Sequence, residues 1–268
     1  MPKFSIIITT KDRRDLFERA LKSAVNQNFD DYEIIVVNNG NESIEDIVNR
    51  YSNLRKIKLI NYSEKQSPTI SANVGIKNSI GDWICFLDDD DELLEDYLKT
   101  INENLDEKTN WVVIRAIWKD NQGNQIVKPD LKIINQQLKG DLYKELLKTS
   151  YFYKYMNIIK REIFQKVGLF EEGLRVAGDY ELVLRLAKNG YRPKVIAKPI
   201  YIYYIHPGQI TKEYEKYLPA LTKIYEKYKD DIEKDPVILS YKYYQLGWYL
   251  VKLKKETEAY KCFKQAFL

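Results

Sequence analysis

Through the first hundred residues, short β-branched and aromatic runs alternate with longer segments whose apolar residues return every three or four positions. The runs predict strands at Phe4 to Thr9, Tyr32 to Asn38, Lys56 to Asn61 and Trp83 to Leu87. Between them, Leu16, Ala20, Leu21, Ala24 and Val25, and then Ile44, Ile47, Val48 and Tyr51, each mark one buried helical face. Repeated strand–helix units of this kind wind into a mostly parallel sheet flanked by helices, an α/β fold. Ligands bind such sheets at the carboxyl ends of the strands, so Thr9 to Asp12, Asn38 to Asn41 and Asp88 to Asp91 are expected to converge on one cleft.

Beyond residue 100 the pattern loosens. Trp111 to Trp118 reads as a strand, Asn121 to Asn124 as a turn and Asp141 to Lys148 as a short helix. Gly178 to Ala187 reads as a helix stopped by Gly190, and Lys194 to Ile205 as an extended run before a His-Pro-Gly loop. From about Lys212 the chain is helical and rich in Lys and Tyr, and with no Gly/Ser or Pro linker before it this extension is expected to pack on the core.

Composition narrows the class. With 43 Lys and Arg against 39 Asp and Glu, the net charge is only +4 although 31% of residues are charged. Scattered charges of both signs give no basic block for nucleic acid, so no nucleic-acid partner is expected. The longest apolar runs fall far short of the ~20 residues of a membrane helix, and no signal-peptide pattern opens the chain. A cytoplasmic protein is expected, or one peripheral to the inner face of a membrane. The only two cysteines, Cys85 and Cys262, lie far apart with Cys85 inside an apolar strand-like run, so neither a cysteine metal site nor a disulfide framework is expected and any metal must be held by oxygen or by the single histidine.

The most informative phrase is WICFLDDDDELL, in which an apolar strand runs into Asp88, Asp89, Asp90, Asp91 and Glu92 before a helix expected at about Leu94. At ~5 Å and an effective dielectric of ~20, each like-charge pair costs about 3 kcal/mol, so a cluster fixed at a strand end invites a divalent cation or proton uptake. Hard oxygen ligands with open positions suit Mg²⁺ or Mn²⁺ bridging to phosphate. Capping of the following helix accounts for only one or two of the carboxylates. His206, the chain's one histidine, is either structural or a donor that completes such a site. Asp179, at a helix start, is either a favourable N-terminal charge or a general base for an acceptor hydroxyl.

Four ordered phrases together resemble the family-2 glycosyltransferases, which have the GT-A fold. FSIIITTKDRRDLFERALKSAVNQNFDDYEIIVVNNG resembles that family's nucleotide-binding half, and SANVGIKNSIGDWICFLDDDDEL the stretch ending in its DxD motif. GLFEEGLRVAGDYELVLRLAKNGY resembles the segment with the catalytic Asp, and YIYYIHPGQIT the closing His loop. The resemblance implies a catalytic domain over residues 1–211, with a nucleotide-binding half to about 100 and an acceptor half from 101. It implies Asp179 as base and Asp90, Asp88 and His206 at a Mn²⁺ or Mg²⁺ ion. It also implies Thr9, Thr10, Lys11, Asn39, Asn73, Asp88 and Asp89 at the nucleotide-sugar donor. The activity implied is metal-dependent, inverting hexosyl transfer from a nucleoside-diphosphate sugar, most simply a UDP-sugar, to a glycan, lipid-linked or protein acceptor. A single displacement by one base turns an α-linked donor into a β-linked product.

The chain departs from the family pattern at three places. Asn38 and Asn39 stand where acidic residues are usual, which leaves the base open. Ala72 stands where an arginine is frequent, with Lys65, Lys77 and Lys11 as candidate replacements, and residue 178 is Gly where many members have Glu. The end, from about 240 to 268, resembles one tetratricopeptide helix pair. A single repeat cannot make a solenoid, so the pair either packs on the catalytic domain or belongs to a longer array that contacts a protein. Tyrosines, 22 in all, knot at Tyr151 to Tyr155, Tyr201 to Tyr204 and Tyr241 to Tyr244, as packing, acceptor-stacking faces or a membrane-surface contact. The competing functions are a nucleotidyltransferase, which would need a glycine-rich phosphate loop that the opening lacks, and a non-catalytic binding module acting through the C-terminal helices.

Overall fold

A computed structural model describes residues 1–62, 67–150, 152–207, 209 and 213–267. The described residues form nine strands: β1 (Phe4–Thr10), β2 (Tyr32–Asn38), β3 (Ile57–Asn61), β4 (Trp83–Asp88), β5 (Glu92–Leu93), β6 (Trp111–Lys119), β7 (Gln125–Lys128), β8 (Asn157–Lys160) and β9 (Lys194–Tyr204). The helices of the first part are α1 (Arg14–Val25), α2 (Glu45–Tyr51), α3 (Pro68–Asn78), α4 (Tyr97–Glu103), α5 (Leu131–Gln137), α6 (Leu142–Lys148), α7 (Arg161–Val167) and α8 (Gly178–Lys188). The C-terminal part adds α9 (Tyr214–Lys227), α10 (Lys229–Glu233), α11 (Pro236–Lys252) and α12 (Glu256–Ala266).

One mixed sheet runs β3-β2-β1-β4-β8-β6-β9-β5, with β7 paired to β6. The first four strands are parallel and in level register: Thr9 lies beside Val37 and Asp88, and Thr10 beside Asn38. Their carboxyl ends therefore form a single edge, as a parallel sheet wound by right-handed crossovers requires. Both β1 and β2 are buried along their whole length, which is why they read as continuous apolar runs rather than alternating ones. On α1 the buried stripe is Phe17, Ala20, Leu21, Ala24 and Val25, so Phe17 takes the place expected of Leu16.

Beyond the parallel half the sheet curls. The helix expected at Leu94 starts instead at Tyr97, because Glu92 and Leu93 form β5 and pair antiparallel with Ile202 and Tyr201 of β9. That pairing folds the end of β9 back over the tip of β4. Pro199, which cannot donate to the ladder, falls at a register shift between β6 and β9.

The C-terminal helices share the core: Ile224, Ile232 and Ile238 are buried with the sheet residues. They also brace α8. Glu181, fully buried on α8, accepts from Arg185, Lys227 (2.7 Å) and the Tyr228 hydroxyl (3.0 Å). Lys242 of α11 contacts the Tyr180 hydroxyl at 2.7 Å, and that hydroxyl donates to the Leu146 carbonyl. Between α11 and α12, Gly247 lets the Phe263 ring approach so closely that a Cβ there would lie 2.7 Å from it.

Candidate active site

At the carboxyl edge of the parallel strands lies a cavity of about 640 Å³. Thr9, Thr10 and Lys11 from the end of β1, Asn39 after β2, and Asp88, Asp89 and Asp90 at the end of β4 line it. Lys154, Arg175 to Asp179, Tyr203 and Tyr217 line it as well. Three strand ends and the start of α8 thus open on the same space.

The four adjacent aspartates separate into distinct environments. Asp89 accepts from the Thr10 hydroxyl at 2.8 Å and from Arg13 at 3.4 Å. Burial, and then the charge of Asp90, push its carboxyl up to about 6 against the pull of Arg13 and Thr10. Asp90 meets Arg13 at 3.0 Å and the His206 Nε2 at 2.9 Å through the same Oδ2. The Asp88 carboxylate pairs with the Lys154 ammonium at 2.5 Å. Asp91 leaves the cleft altogether: fully buried, it accepts from the Tyr201 hydroxyl (2.8 Å) and the Tyr204 N–H (2.9 Å), which ties β4 to β9. Burial and its acidic neighbours hold it well above the carboxylate range. None of the four caps α4, whose N-cap is Asp96.

Asp179 sits at the start of α8, where Ala177 adopts a left-handed conformation (φ 58°) that turns the chain into the helix. Its Oδ1 accepts from its own neighbour's N–H, at Tyr180 (2.9 Å), and its Oδ2 from the Lys154 N–H (3.1 Å). Burial raises its carboxyl above the ordinary value, opposed by those two N–H groups and by the Lys154 charge. Gly178 is required by close approach: a Cβ there would stand 2.7 Å from the Thr69 methyl of α3.

Asn73, expected at the donor, makes its contacts elsewhere. Asn73 is buried in α3, and its amide both donates to the Phe170 carbonyl and accepts the Phe170 N–H, each at 2.9 Å. That amide clamps α3 to the segment after α7, and Asn73 is not among the residues lining the cavity. Asn38 likewise spends its amide locally: it donates to Glu42 O and Asn61 Oδ1 and accepts the Gly40 N–H. The neighbouring Asp12 (φ 52°) accepts from Asn41 and Glu42 N–H, and a Cβ on Gly40 would collide with it at 2.5 Å. Of the lysines considered for position 72, Lys11 lines the cavity, Lys77 is exposed on the last turn of α3, and Lys65 lies outside the described residues.

Sequence reasoning missed Arg13, Lys154, Arg175 and Tyr217, all on the cavity wall. Lys154 left a signal, as the one charge within the aromatic knot, since an ammonium among aromatic rings needs an acid nearby. The rest of that knot packs: Tyr155 stacks on Tyr201 (4.4 Å between centroids) and Tyr203 (5.3 Å), and Tyr151 lies outside the described residues.

For a divalent cation the donor chemistry fits. A carboxylate oxygen of Asp90 and an imidazole nitrogen of His206 already converge, and Asp88 faces the same cavity. Among the described residues no three His, Cys, Asp or Glu side chains close on one point, so substrate oxygens and water would complete the shell.

The family profile described as Glycosyl transferase family 2 matches residues 5–168. The chain is 30% identical to the GalNAc(5)-diNAcBac-PP-undecaprenol beta-1,3-glucosyltransferase of Campylobacter jejuni, over 98% of this chain and 87% of that one. It is 26% identical to the putative colanic acid biosynthesis glycosyl transferase WcaA of Escherichia coli, over 96% and 90%. In structure it is similar to residues 1–349 of S. aureus TarS, solved with UDP-GlcNAc (TM-score 0.64, 20% identity, 93% of this chain and 72% of that one). It is also similar to the mannosyltransferase PcManGT of Pyrobaculum calidifontis, solved with GDP-Man and Mn2+ (TM-score 0.66, 16% identity, 95% and 74%).

Proposed function

The chain belongs to glycosyl transferase family 2, and from that premise we propose that it moves a hexosyl group, with inversion, from a nucleoside-diphosphate sugar to an acceptor hydroxyl. The observation that carries this reading is the shared cavity, which Asp88 to Asp90 and Asp179 all line. An in-line displacement at an anomeric carbon needs a base behind the incoming oxygen and positive charge at the departing diphosphate. Asp179, held by two N–H groups, keeps a fixed direction for taking the acceptor proton. Arg13 brings cationic charge to the strand ends. Asp90, His206 and Asp88 would hold Mn²⁺ or Mg²⁺, which when bound stabilises the leaving diphosphate as a Lewis acid.

A UDP-sugar is the proposed donor, supported by the UDP-GlcNAc complex of the TarS relative, while the GDP-Man complex of PcManGT makes a guanosine donor the competing outcome. The Campylobacter relative's name specifies a lipid-linked saccharide, and we take a lipid-linked or other glycan hydroxyl as the acceptor class here. Among the described residues no helix is long and apolar enough to cross a membrane, so such an acceptor would be met from the membrane surface. The α11–α12 pair, closed by Gly247 against Phe263, is read as one tetratricopeptide-like pair serving as a brace for α8.

Acceptor-dependent release of nucleoside diphosphate across a panel of nucleotide sugars, with analysis of the anomeric configuration of the product, tests the reading. Release of pyrophosphate, or retention of configuration, overturns it.

A further inference from the structure

The proposed chemistry makes two demands on the cavity, a donor site and a base, and one residue touches both. Lys154 extends its side chain to Asp88, with Nζ 2.5 Å from Oδ1 and only 11% of the side chain exposed. Its main-chain N–H donates to Asp179 Oδ2 at 3.1 Å. The residue opens a single 3-10 turn, Lys154–Met156, that runs directly into β8. Strand pairing anchors β8 only to the first half of β4, at Trp83 and Ile84. At the other end of β4, the ion pair ties Asp88 to the turn that leads into β8.

A nearly buried ammonium needs its carboxylate, because a charge left unpaired in this position is strongly destabilising. The ion pair therefore restrains where the backbone of residue 154 lies, and that backbone supplies one of the two N–H groups that aim Asp179. Resting on the reading of Asp179 as the base, we propose that Lys154 is a positioning residue: its side chain, by gripping Asp88, sets the direction of the Asp179 carboxylate. The donor wall and the base are in this way fastened by one side chain and its own peptide N–H.

The test is the split between turnover and binding in Lys154→Met, which keeps an unbranched side chain of similar length and leaves the N–H in place. With wild-type transfer as the reference, kcat is expected to fall about 10- to 100-fold, the scale of a misaligned reacting group. The affinity for UDP with Mn²⁺, measured by calorimetry, is expected to stay within about threefold. Lys154→Arg, which can still reach a carboxylate, is expected to recover kcat to within about fivefold. A kcat for Lys154→Met within about threefold of wild type overturns the proposal. So does a parallel loss of UDP affinity, which would make Lys154 a ligand of the donor, or an Arg variant as impaired as the Met variant. If Lys154→Met does not fold, Lys154→Gln gives the same readout. Absence of transfer by the wild-type protein would instead remove the functional reading itself.

Discussion

His206 Nε2 lies 2.9 Å from Asp90 Oδ2, across 116 positions of sequence. The contact follows from β5: two residues, Glu92 and Leu93, pair with Tyr201 and Ile202, so the segment after β9 ends beside the tip of β4. Asp91 fixes the same junction from inside by accepting the Tyr204 N–H. A buried carboxyl and a two-residue strand thus carry the histidine to the acidic edge.

This juxtaposition predicts metal-linked donor binding. UDP affinity is expected to drop tenfold or more in EDTA, in Asp90→Ala and in His206→Ala. Calorimetry with and without Mn²⁺ checks it, and equal affinities would exclude Asp90 and His206 as cation ligands.

The base assignment predicts a different pattern. Asp179→Asn is expected to leave UDP affinity within about twofold while transfer falls ~10²- to 10⁴-fold, the usual contribution of a positioned base. Because burial raises this carboxyl, the acid limb of the wild-type kcat profile should lie above the ordinary carboxylate range. Near-normal turnover in the variant would remove Asp179 from the chemistry.

Asp89 predicts a stability gain on loss of a charge. Its carboxyl titrates at about 6 in the fold against 3.8 for the ordinary group. The folded state thus holds the proton more tightly than the unfolded chain, and this group's contribution to stability declines as pH rises from about 4 to 6. Asp89→Asn escapes that decline. It should be ~1–3 kcal/mol more stable than wild type at pH 8, with the advantage fading toward pH 4. Urea unfolding of the ligand-free proteins at the two pH values measures this, and a less stable variant at pH 8 would refute it.

At Gly178 the contact with Thr69 predicts a paired effect. Gly178→Ala should cost ~1–3 kcal/mol, because its methyl would stand 2.7 Å from Thr69 Cγ2 in a packed interface. Thr69→Ser removes that methyl and keeps the hydroxyl bonded to the Leu174 carbonyl, so the double variant should recover much of the loss. Strict additivity in thermal or urea unfolding would show that the two do not meet.

Much of the architecture could be read in advance because burial leaves a local record. The runs at Phe4 to Thr9 and Tyr32 to Asn38, most of the stripe on α1 and the helix from Gly178 all follow from periodicity. Strand-end placement likewise locates Thr9, Thr10, Lys11, Asn39 and Asp88 to Asp90 at one edge, since a parallel sheet with level register leaves few other positions for them.

Partner choice was not legible in that way. DDDD is four identical letters, yet Asp91 is buried against Tyr201, Asp88 meets Lys154, and Asp89 and Asp90 share Arg13. Asn73 looks like any amide near a site until the fold seats it on the Phe170 backbone. Sequence by itself determined the elements, the sheet edge and the chemical kind of the groups, because hydrophobic spacing is a property of neighbours along the chain. Only the tertiary structure decided which charge meets which, because hydrogen bonds and ion pairs act over about 3 Å and depend on how distant segments cross.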